Sequence, residues 1–300
     1  MYLQHFGLNE PPFTLTPDTG FFFNHGSHQS ALNVLLVALQ NRDGFIKVTG
    51  EVGTGKTLIC RKLLNLLGDD YVTAYIPNPF LNPTALRMAL AEELGIEFAR
   101  NIGQHRLLKL ITDRLLQLSS ENKHIVLLLD EAQAMPDDSL EALRLLTNLE
   151  TEKRKLLQVV LFGQPELDVR LAQRKLRQLK QRIAFSYHLT PLDRRALGDY
   201  VNHRLQVAGY AGGALFTPAA VRQLIRNSRG VPRLVNLLCH KALMAAYGTG
   251  EQRITGLHVR RAANDTEDII PSRSRWIKVA SALAGLAALT SASLIYGYSL

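Results

Sequence analysis

Eight residues constrain this chain more than any others: Gly50-Glu51-Val52-Gly53-Thr54-Gly55-Lys56-Thr57. They complete the pattern G-x-x-x-x-G-K-[ST], which has physical meaning only between a strand and a helix. Before it, Phe45-Ile46-Lys47-Val48-Thr49 is short, β-branched and aromatic, which predicts a strand. After it, Leu58-Ile59-Cys60-Arg61-Lys62-Leu63-Leu64 spaces its apolar residues as a helix does. Glycines let the main chain curl until its N–H groups converge on a polyphosphate. The helix that follows presents its unpaired N–H groups and positive end to the same anion. In that arrangement Lys56 reaches the β- and γ-phosphate oxygens of ATP, and Thr57 places its hydroxyl on Mg²⁺.

The rest of the chain supplies the frame. Strand-like segments recur near 45–49, 71–76, 125–130, 157–163 and 184–188, with helical patterns between them. That alternation predicts a mainly parallel sheet covered on both faces. Asn82-Pro83 is a cap and first-turn pair for a helix over 83–94, and another helix is expected over 104–120. After Pro191 the strand signals stop, and helices are expected over 193–208, 218–228, 232–247 and 255–264. The expected organisation is a lead-in over 1–40 with a helix near Ser30–Gln40, an α/β domain over 41–190 and a helical lid over 191–267. A linker over 268–276 and a transmembrane helix over 277–298 would follow.

Composition agrees with a globular core: 46% of residues are hydrophobic and 20% charged. The formal charge of +9 admits nucleic acid, anionic lipid or nucleotide as partner and does not choose among them. Cys60 and Cys239 lack metal-ligand spacing and fit a reducing, cytosolic compartment. The opening residues lack the basic segment and apolar core of a secretion signal. The far end differs. Val279 to Leu300 holds no charged residue in 22 positions, enough to cross a bilayer as a helix. Arg273, Arg275 and Lys278 precede it, and Trp276, Tyr296 and Tyr298 flank it. That pattern predicts a single-pass anchor with the large domain in the cytoplasm and the C-terminus outside. Ala280, Ala284, Ala288 and Ala292, with Ser281 and Gly285, predict a small-residue face on which two such helices pair.

Candidate chemistry gathers at the strand ends. Ile125-Val126-Leu127-Leu128-Leu129 is a continuous apolar run that ends in Asp130-Glu131. Asp130 is placed to hold Mg²⁺, and Glu131 to polarise the attacking water. Gln164 follows the run Val159-Val160-Leu161-Phe162-Gly163, where a polar side chain orients water against the γ-phosphate. Between Arg170 and Arg182 lie six basic residues and no acid. Leu171, Leu176, Leu179 and Ile183 predict one amphipathic helix there, with Arg170, Arg174 and Arg177 along a stripe. One arginine of this segment is expected to reach a neighbouring subunit's γ-phosphate, Arg182 first and Arg177 second. Arg233 opens a helix of the lid after Gly230-Val231-Pro232 and is placed to lean back onto the phosphates.

In this order, these motifs resemble the AAA+ ATPases. More narrowly the chain looks like the ExeA group of secretion-pathway ATPases, and most of all like its pilus-biogenesis members. The resemblance rests on Phe6-Gly7-Leu8-Asn9-Glu10-Pro11-Pro12-Phe13 with Pro17-Asp18, on Leu129-Asp130-Glu131-Ala132-Gln133, and on Leu161-Phe162-Gly163-Gln164-Pro165-Glu166-Leu167. It covers about residues 1–267. It implies a three-layer αβα core with a five-stranded sheet in the order 5-1-4-3-2, a small all-helical lid, and ATP with Mg²⁺ as ligands. It implies that Pro12 and Phe13 line the adenine pocket. It also implies action as a dimer or ring with active sites shared between subunits, in assembly of a pilus or secretion apparatus at the bacterial inner membrane. Longer relatives continue into a cell-wall-binding domain, a property not carried over here.

Two other readings stand beside this one. A DNA-binding AAA+ protein of the transposition-regulator type suits the positive charge and the basic segment. The membrane run and the want of a separate helix-turn-helix or zinc module weigh against it, so nucleic acid is not the expected partner. An ATP-binding scaffold that barely hydrolyses would have no use for Glu131.

Overall fold

In the computed structural model, which describes residues 1–24, 26–99, 101–149 and 155–267, each apolar run of the first two thirds is a strand. They are β1 (Phe45–Gly50), β2 (Tyr71–Ile76), β3 (His124–Leu129), β4 (Gln158–Gly163) and β5 (Ile183–Leu189). Every pairing is parallel, and the order is β2-β3-β4-β1-β5. This is the expected order read from the other edge. The helices are α1 (Tyr2–Phe6), α2 (Gly26–Gln40), α3 (Lys56–Leu66), α4 (Pro83–Glu93), α5 (Gln104–Ser120) and α6 (Asp137–Leu146). Then come α7 (Glu166–Leu171), α8 (Arg177–Arg182), α9 (Arg194–Val207), α10 (Pro218–Ser228), α11 (Pro232–Gly248) and α12 (Gly256–Asn264).

The two-residue period of a strand divides the core between the sheet's faces. On β3, Ile125, Leu127 and Leu129 pack with α4, α5 and α6, while Val126 and Leu128 pack with α2 and α3. On β4, Val159 and Leu161 take the first face, and Val160 and Phe162 the second. A strand buried on both faces has no polar alternation to show, which is why these runs read as continuously apolar. A third core lies among α9, α10, α11 and α12.

The lead-in packs into this helical core through Phe6, Leu8, Phe13 and Phe21. Two expectations are corrected. The helix before β1 begins at Gly26, four residues ahead of Ser30. The segment 170–182 is not one helix. It is α7, a 3₁₀ turn over Arg174–Leu176 and α8, and Gln173 between them is extended at φ −67, ψ 148. The break lets Leu171, Leu176 and Leu179 all reach the core, and it dissolves the arginine stripe. The run 279–300, and the anchor and pairing face read from it, lie outside the described residues. Among the described residues no helix is long and apolar enough to cross a membrane.

Candidate active site

In a parallel sheet all the C-terminal strand ends open on one edge, and ligands bind there. Because β4 lies between β1 and β3, the residues after these three strands are neighbours. The turn after β1 is the octet. It leads into α3, whose N-cap is Gly55 with no side chain capping the end, so the helix's first N–H groups face the cleft unclaimed. Gly55 sits at φ +101, and a Cβ on it would lie 2.8 Å from Nε2 of His28. That nitrogen donates to the Thr54 carbonyl at 2.8 Å, so a buried ring of α2 braces the loop.

Lys56 is buried, and its Nζ donates to the carbonyls of Gly50 at 2.8 Å and Glu51 at 3.0 Å. Its pKa is lowered by burial, which the nearby carboxylates of Glu131, Asp130, Glu51 and Glu166 partly oppose. Thr57 Oγ1 donates to Asp130 Oδ2 at 2.6 Å across 73 positions of sequence. Burial raises the Asp130 pKa, while the Thr57 hydroxyl and the Glu131 N–H pull it down. A hydroxyl and a carboxylate side by side are hard oxygen ligands, two of the few that Mg²⁺ takes from protein when phosphates supply others. The loop, the uncapped helix and this oxygen pair fit MgATP: Lys56 and the loop amides would hold the phosphates, and Thr57 with Asp130 the cation. Bound there, Mg²⁺ would neutralise phosphate charge.

Glu131 follows in a left-handed conformation, φ 53 and ψ 37, which turns the chain sharply out of β3. Its Oε2 accepts from the amides of Gln133 and Gln164, the latter at 3.2 Å. The structure thus brings Lys56, Thr57, Asp130, Glu131 and Gln164 together. A cleft of about 370 Å³ is lined by Val52, Gly53, Gly55, Lys56, Thr57, Glu131 and Gln164 on one side. Pro232 and Arg233 line it from the lid, and the Arg233 N–H donates to the Gly53 carbonyl at 3.2 Å.

Pro12 and Phe13 do not line this cleft. Phe13 is buried against Phe216 in the helical core, where its ring loses more water contact than a cleft wall allows. Residues Thr14 to Asp18 form that wall instead. They are held by a group the sequence did not reveal. Arg204 is 5% exposed and donates to the Pro12 carbonyl, the Tyr200 hydroxyl and Thr14 Oγ1. Its guanidinium lies 4.6 Å from the centre of the Phe21 ring. These carbonyl, hydroxyl and ring contacts replace the water that a buried cation gives up. Asn236 donates to the Thr14 carbonyl at 3.1 Å and accepts from Tyr200 at 2.8 Å. His28 reaches Thr54, Arg204 reaches Pro12 and Asn236 reaches Thr14 across 26, 192 and 222 positions, and no local pattern announces them.

The basic segment does not join the site as a unit. Arg170 points inward, donating to the Gln133 carbonyl at 2.6 Å and pairing with Asp137. Arg177 is exposed. Arg182 stands just before β5, at the sheet edge opposite the octet, and donates to the Arg144 carbonyl at 3.3 Å.

A sequence model described as an AAA domain matches residues 39–171. The chain carries an AAA domain. It is also a homologue of General secretion pathway protein A of Aeromonas hydrophila, 46% identical over 269 residues. That alignment takes in 90% of this chain and 49% of the relative, so the chain spans about half the length of the curated protein it matches. Among solved structures, Cdc6p of Pyrobaculum aerophilum superposes with a TM-score of 0.64 at 22% identity, over 83% of this chain and 71% of that one. The Orc2 protein of Aeropyrum pernix, solved in ADPNP and ADP complexes, gives 0.60 at 18% identity, over 84% and 72%. At these identities the likeness to Cdc6p and Orc2 is one of fold.

Proposed function

We propose that this AAA-domain chain is a Mg²⁺-dependent ATPase that drives assembly or export of a bacterial envelope structure, a type IV pilus of the MSHA kind or a type II secretion apparatus. The observation that carries the enzymatic half is the 2.6 Å contact between Thr57 and Asp130 beside Lys56 and Glu131. Lys56 leaves the Gly50 and Glu51 carbonyls for phosphate oxygens, a better partner for a buried cation. Glu131 takes the proton of the attacking water, with Gln164 orienting that water. Arg233 reports phosphate occupancy to the lid, and Arg182 or Arg177 completes a neighbour's site. The homology to a secretion-pathway protein supports the cellular half. The apolar run 279–300 supports an inner-membrane anchor with this domain in the cytoplasm.

Two substitutions test the enzyme. Lys56→Ala should lose MgATP binding and hydrolysis together, measured by nucleotide titration and phosphate release. Glu131→Gln should bind ATP and turn over at least ~100-fold more slowly, the scale of a lost general base. Hydrolysis at the parent's rate by either variant would refute its assignment. Fractionating cells that express the chain with and without residues 276–300 tests the anchor. Equal distribution of the two forms would sink it.

A further inference from the structure

We propose that Gln133 is a positioning residue for hydrolysis, one that holds the Glu131 carboxylate in the cleft and is itself locked by Arg170. The inference rests on the reading of Glu131 as the base. Glu131 leaves β3 in a left-handed turn, so the strand no longer dictates where its side chain points. Contacts must do so instead. Two amide nitrogens converge on one oxygen, Oε2: Nε2 of Gln133 and Nε2 of Gln164. That leaves Oε1 as the atom to receive the proton from water.

The two glutamines are not equivalent. Gln164 lines the cleft, whereas Gln133 does not, so Gln133 acts through the groups it holds, the Glu131 carboxylate first among them. An amide can turn over and present its oxygen, which would repel a carboxylate. At Gln133 this is prevented, because Oε1 accepts from the main-chain N–H of Gln164 at 3.0 Å, a group that can only donate. The NH₂ end is therefore committed to Glu131. The amide also packs beside the end of β4, where a Cβ added at Gly163 would just touch Gln133 Oε1 at 3.4 Å. The main chain of Gln133 is fixed too. Its carbonyl takes the Arg170 bond, and Arg170 pairs with Asp137, which Lys175 also binds. The turn after β3, the end of β4 and helix α7 thus meet at one half-buried residue. A contact network of this kind sets a carboxylate to within the tolerance that proton transfer demands.

The test uses the full chain and five proteins: parent, Gln133→Ala, Gln133→Met, Glu131→Gln and the double variant of Gln133→Ala with Glu131→Gln. Gln133→Ala should bind MgATP as the parent does while kcat falls by roughly 10- to 100-fold, the cost of a base misplaced by about 1 Å. Combined with Glu131→Gln it should cost little further, because the carboxylate it chiefly positions is gone. Gln133→Met keeps length and packing without a donor and should reproduce the loss, which covers the case of a poorly folded alanine variant. Turnover at the parent's rate, a matching loss of nucleotide affinity, or a further full-sized drop in the double variant would each overturn the proposal. So would faster turnover, which would mean that the amides restrain Glu131. Activity at the parent's level in Glu131→Gln would instead remove the base assignment itself.

Discussion

His28 shows how one buried ring shapes the phosphate loop. A carbonyl only accepts, so the 2.8 Å contact with Thr54 requires the proton on Nε2. The ring packs edge-on to Phe22 and occupies the space a side chain at Gly55 would need. Burial lowers its pKa below the ordinary 6.5, and the Thr54 bond only partly opposes this. The unfolded chain therefore takes up this proton first as pH falls. The stability His28 contributes is whole above about pH 6.5 and drains away below it, toward the folded-state pKa. His28→Gln keeps a donor and does not titrate. Its melting temperature should fall less than the parent's between about pH 7 and pH 5. Parallel curves for the two proteins would show that His28 is not the titrating brace. Cys60, in the helix that follows the loop, carries no comparable chemistry, since burial pushes its thiol far up.

At the scale of elements, the entry into the helical lid after β5 is fastened by a backbone contact to the turn between α10 and α11. Gly230 sits at φ +78 between α10 and α11, and a Cβ on it would come within 2.0 Å of the Leu192 carbonyl oxygen. The Leu192 N–H donates to the Gly230 carbonyl at 2.9 Å. Two residues on, Pro232 and Arg233 line the nucleotide cleft. Gly230→Ala should therefore cost about 1–3 kcal/mol of stability through strain and also weaken nucleotide binding. Gly248→Ala, with nothing within 4 Å, should do neither. Thermal melts and nucleotide titrations check both. The elements that were legible in the sequence are those whose cause is local. The strand runs and the Asn82 cap with Pro83 appear where their residues placed them. Thr57 and Asp130 were legible as well, because one closes the octet in the first turn of α3 and the other ends the apolar run of β3. What stayed hidden depends on partners far along the chain. Leu171, Leu176 and Leu179 satisfy helical spacing on paper, yet the core they share is reached by breaking the helix at Gln173. Pro12 and Phe13 gave no sign that Arg204, 192 positions away from Pro12, would draw them beneath the cleft wall.

At the scale of the whole molecule, the distance between Arg182 and the octet decides how the site is completed. β1 and β5 are parallel neighbours, with Gly50 opposite Leu189. Arg182 precedes the first residue of β5, so the strand's seven residues separate it from the level of the loop. At about 3.3 Å per residue that is roughly 20 Å, far beyond an arginine's reach within one subunit. Either Arg182 has no role in hydrolysis or it serves the cleft of a second copy, giving up its bond to the Arg144 carbonyl to do so. Exposed Arg177 on the same helix is the neighbouring alternative. If Arg182 acts in trans, Arg182→Ala should bind nucleotide almost normally and lose hydrolysis by ~10³-fold. Mixing it with Lys56→Ala protein should then restore part of the activity, because the first supplies an intact loop and the second an intact arginine. Phosphate release from equimolar mixtures measures this, with light scattering to establish that the two variants assemble together. Co-assembly without any recovered activity would exclude Arg182, and the same mixing with Arg177→Ala would then show whether its neighbour takes the part. Anchoring through the apolar run at 279–300 would favour such pairing, since confinement raises the local concentration of sites that only a second copy completes.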